Sequence, residues 1–61
     1  MLATLELFDT KNTSQQTGFD ILSKITKRAK EASKKPEIKK AIVRQGPNFS
    51  VWVNGNLTEI G

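Results

Sequence analysis

Nine of the ten lysines and arginines fall between Lys24 and Arg44, and only Glu31 and Glu37 oppose them there. Side chains of this type hold phosphates and other anions without any covalent step. The candidates for that role are Lys24, Lys27, Arg28, Lys34 and Lys35 in one segment, and Lys39, Lys40 and Arg44 in the next. Trp52 adds the one indole, which can stack on an unpaired base, a contact worth about 1–3 kcal/mol. The first 23 residues hold Lys11 alone against Glu6, Asp9 and Asp20, so charge is polarised along the chain. A solvated helix face carrying ordinary solubility charge is the plain alternative.

Other chemistries find little material. The chain has no histidine and no cysteine, which removes the usual structural zinc ligands and the commonest general base. Its six acids are dispersed, and no Ser or Thr has an evident base partner. Gly46 stands alone where a nucleotide-binding loop needs several glycines, and Asn54-Gly55-Asn56 reads as a turn. A 61-residue chain also has little room to enclose a substrate pocket of about 300–1,000 Å³. The reading is a binding protein and not an enzyme, with no cofactor and no metal.

Those cations need elements to carry them. Leu2–Phe8 alternates apolar and polar residues, the period of a strand. Asp9–Thr13 is polar and reads as a loop. Thr13 with Gln16, or Thr17 with Asp20, resembles a capping box that would open a helix. Ile21, Leu22, Ile25, Ala29 and Ala32 then form one apolar stripe at spacings of three and four, and Pro36 ends the helix near Lys35. Ile38–Arg44 and Phe49–Val53 read as the next strands, joined by Gln45-Gly46-Pro47-Asn48. Asn54-Gly55 is a hairpin turn leading into a short fourth strand, Leu57–Ile60. The expectation is a single domain, 1–61, of the α+β class. It has two layers: one amphipathic helix packs on a small, mainly antiparallel sheet in the order β-α-β-β, extended by that fourth strand.

A register follows from burial arguments. If Val43 lies opposite Phe49, then Ala41, Val43, Phe49, Val51 and Val53 share the face under the helix. A shift by one residue is read as turning Lys40 and Arg44 inward, at a cost of several kcal/mol each. Trp52 then emerges on the uncovered face beside Lys40, Ile42 and Arg44, with Leu2 and Phe8 near it.

The functional expectation is a small basic module that binds nucleic acid through the helix, the second strand and an exposed Trp52. The sheet would suit a single strand, and the helix alone would suit a duplex backbone. The alternative is a small protein-binding regulator or inhibitor, of the kind that compact viral or mobile-element reading frames encode. The chain begins at Met and reads as a complete small frame. No apolar run reaches the ~20 residues of a membrane span, and a cytoplasmic location is expected, in the host cell if the frame is viral. A homodimer through the uncovered face would thicken a thin core.

Overall fold

The alternation of Ala3, Leu5 and Leu7 against Thr4, Glu6 and Phe8 makes the first strand, and hairpins build outward from it. The computed structural model describes all 61 residues, as β1 (Leu2–Asp9), β2 (Ser14–Ile21), α1 (Leu22–Ala32), β3 (Ile38–Gln45), β4 (Asn48–Val53) and β5 (Asn56–Ile60). All strand pairs are antiparallel, in the spatial order β2-β1-β3-β4-β5. The α+β expectation of a helix on a four-stranded sheet in the order β-α-β-β is therefore corrected. The protein is mostly sheet, 57% strand and 18% helix, with the order β-β-α-β-β-β.

The extra strand is β2, where a helix start was expected. Its cause lies in the preceding turn. Asp9 Oδ1 accepts the backbone N–H of Lys11 and of Thr13, both at 2.9 Å. Asn12 takes a positive φ of 63°, which an asparagine tolerates. This closes a hairpin, and the backbone of Ser14–Ile21 pairs with β1 in place of the expected first helical turns. Thr13 and Thr17 thus cap nothing. The helix begins only at Leu22, with Ile21 at its N-cap and no side-chain cap bond, and it ends at Ala32, short of Lys35.

The helix covers one face of the sheet. Ile25 and Ala29 enter a cluster with Ala3 and Leu5 of β1 and with Ala41 and Val43 of β3, while Leu7, Leu22 and Trp52 pack on its margin. Three of the six cluster residues are alanine, so the core is shallow.

The β3–β4 register also departs from expectation. Ala41 lies opposite Trp52, Val43 opposite Ser50 and Gln45 opposite Asn48. The connection is a two-residue loop, Gly46-Pro47, with Gly46 at φ 56°. Two-residue loops with glycine at the first central position are favoured in hairpins, and loop length fixes the register. Burial of Lys40 and Arg44 does not separate the two registers. Ala41 and Val43 face the helix in both, so Lys40 and Arg44 stay outside in both. The shift turns β4 over, not β3. Ser50 and Trp52 therefore face the helix side, and Phe49, Val51 and Val53 face away from it.

Candidate functional site

The apolar stripe of α1 decides where its cations go. With Ile25 and Ala29 buried, Lys24, Lys27, Arg28 and Lys30 project from the exposed side, and Lys34 and Lys35 follow in the exposed turn beyond it. From Lys24 to Lys35 there are six cations against one acid, Glu31. Lys24, Lys27 and Arg28 surround a shallow depression together with Glu31. Lys30, also exposed, belongs to the same surface.

Two of these cations have partners. Arg28 donates to Asp20 Oδ2 at 3.3 Å, and Lys34 Nζ stands 3.8 Å from Glu31. Both pairs are exposed, where ion pairs contribute little. Lys24, Lys27, Lys30 and Lys35 form no ion pair. Asp20 titrates below the usual aspartate value. The main cause is the Ile21 backbone N–H on its Oδ1 at 2.7 Å, joined by the charges of Lys24 and Arg28 against an opposing desolvation.

The remaining candidates lie elsewhere. Lys40 and Arg44 point to the open face of the sheet, beyond the helix layer. Lys40 Nζ sits 4.8 Å from the Phe8 ring centroid, and Arg44 Nε donates to Glu6 Oε1 at 3.4 Å. Lys39 occupies the irregularity where β1 and β3 change register, and its Nζ donates to Asn12 Oδ1 at 3.0 Å. The eight cationic candidates are thus divided, five on and just beyond the helix and three on β3.

Trp52 is the main correction. It was expected in water beside Lys40, and it lies half-buried on the helix side of the sheet, against the core cluster. Its Nε1–H donates to Ser50 Oγ at 3.1 Å, so the indole is held in place as well as covered. The open face carries all three phenylalanines in its place, Phe8, Phe19 and Phe49, with Ile42, Val51 and Val53. Phe19 and Ile21, two residues apart, were the available signal, hidden by reading Ile21 as part of a helical stripe.

A second concavity of about 290 Å³ opens on the helix side between Leu22 and Thr26 of α1 and Ser50 and Ile60 of the sheet. It has no acidic or basic side chain on its wall. No group of three or more metal-ligating side chains converges, and no helix is long and apolar enough to cross a membrane. What the arrangement offers is an exposed cationic surface on α1. No protein-family model, no curated protein and no solved structure matches the chain.

Proposed function

We propose that the protein is a small basic module that binds nucleic acid through the outer face of α1, contacting phosphates and not base edges. The observation that carries this reading is the run of six exposed cations with Glu31 as the one acid among them. Phosphate contacts of this kind supply affinity without sequence preference.

Geometry favours a duplex backbone over a single strand. An 11-residue helix is about 16 Å long, enough to follow roughly three to five phosphates. Stacking on unpaired bases would need an exposed aromatic among free cations, and Trp52 is half-buried against the core cluster with its Nε1–H held by Ser50. A cytoplasmic setting goes with this ligand. Fluorescence anisotropy of a labelled duplex oligonucleotide, titrated with the protein at low and at moderate salt, tests the proposal. Binding that weakens steeply with salt is the expected result; no change in anisotropy at low salt would refute it.

The second reading, a small protein-binding regulator or inhibitor of viral or mobile-element type, draws on a different observation. The open face of the sheet is apolar, and surfaces of that kind serve protein contacts more often than nucleic-acid contacts.

A further inference from the structure

The helix lies on one face of a five-stranded sheet and leaves the other uncovered. Strand pairing shows what that second face carries. Leu2 lies opposite Ile21 and Thr4 opposite Phe19; Phe8 lies opposite Lys40, and Ile42 opposite Val51. Leu2, Phe19, Ile21 and Val53 are 57%, 64%, 45% and 38% exposed, and Phe8 and Val51 are half-buried. Ile42, at the middle of this face, is already 7% exposed without any covering layer. The apolar residues run across β2, β1, β3 and β4 and form one surface.

We propose that a second copy of this chain covers that face, sheet against sheet, about a two-fold axis. Charge is the first argument. The face holds Lys40 and Arg44 against Glu6 and Glu59, so it is neutral in a chain whose net charge is +4. A polyanion or an acidic protein gains nothing there. A two-fold contact needs a surface that suits itself, and a neutral face bearing both signs meets that condition. Area is the second argument. Five strands about 4.8 Å apart, with strands of about 20 Å, give a projected footprint of roughly 480 Å². The side chains standing on it raise the accessible area towards the roughly 600–1,000 Å² per partner of a stable interface. Core depth is the third. Ala3, Ala29 and Ala41 make up half of the buried cluster, and chains of this size gain stability from association. Packed sheets about 10 Å apart would bury the phenylalanines and leave both α1 helices facing outward on opposite sides. This proposal does not depend on the nucleic-acid reading, because α1 takes no part in the contact.

Sedimentation equilibrium over a range of concentrations tests it. The wild type is expected to reach twice its 6.8 kDa mass and to dissociate on dilution, with a dissociation constant of about 1–100 µM. Phe19→Asp and Val53→Asp place a charge on opposite sides of the face at exposed positions. Each is expected to weaken association at least ~10-fold while its circular dichroism stays that of the wild type. Lys27→Glu on the helix is expected to leave association unchanged. A wild type that stays monomeric at about 1 mM would overturn the proposal without any variant. Folded Phe19→Asp and Val53→Asp proteins that associate like the wild type would overturn it too, because the contact would then lie elsewhere.

Discussion

The Ser33 hydroxyl, just past the last turn of α1, accepts the Gly55 backbone N–H at 2.8 Å and donates to the Lys30 carbonyl at 2.9 Å. The Ser33 carbonyl also accepts the Asn54 N–H at 3.1 Å. One buried residue therefore fastens the β4–β5 turn to the helix, and the helix carries the cationic face.

Ser33→Ala removes the hydroxyl and leaves the Gly55 N–H without its acceptor. Loss of such a bond at a buried site costs about 1–3 kcal/mol. In a domain of this size the expected fall in Tm is roughly 5–15 °C. Hydrogen exchange at Gly55 is expected to speed up more than exchange in β1 or β3. Equal protection of Gly55 in both proteins would show that the turn does not need this anchor.

Trp52 faces Ala41 across the β3–β4 ladder on the helix side. Trp52→Ala is accordingly a stability variant, costing about 2 kcal/mol for a half-buried indole in urea unfolding. Trp52→Phe, measured in the folded protein, is expected to keep oligonucleotide affinity within about twofold, since no base stacks there. A loss of tenfold or more in that variant would return the indole to the ligand site.

Much of this fold is legible from residue order. β1, β3 and β4 follow from alternation, and Asn54-Gly55, both at positive φ, marks the β4–β5 turn. β2 is not legible in this way. It is an edge strand of mostly polar residues, and pairing with β1 on one side holds it in place more than any apolar pattern of its own. Gln15, Gln16 and Thr17 carry no strand period, and Thr17 opposes no residue of β1 in the register. The face of Trp52 was lost for another reason. Alternation places Phe49, Val51 and Val53 together but does not say on which side. A difference of one residue in the Gly46-Pro47 loop decides that. The cationic side of α1 was legible because Ile25 and Ala29 orient the helix by themselves.

Acid should weaken the junction between β2 and α1. The Asp20 carboxylate is held in its charged form by the Ile21 N–H, Lys24 and Arg28, which sets its folded pKa below the unfolded value. Its contribution is therefore present above the unfolded pKa and is lost as pH falls through the folded one. Below the ordinary aspartate value of 3.8 the wild type is expected to lose stability that Asp20→Asn does not lose. Thermal melts of both proteins between neutral pH and strongly acid pH check this. Parallel pH profiles would show that Asp20 contributes nothing.

The central claim is that phosphates meet the outer face of α1, and the dependence of duplex affinity on salt tests it most directly. With roughly four phosphates contacted, the slope of log K against log salt is expected near −3.5, about a 100-fold loss from 50 to 200 mM. Lys27→Glu combined with Lys35→Glu should flatten that slope by about two units and weaken low-salt binding strongly, while Phe19→Asp leaves the slope of each protomer as it was. A doubly reversed protein that binds duplex with the wild-type slope would contradict the account.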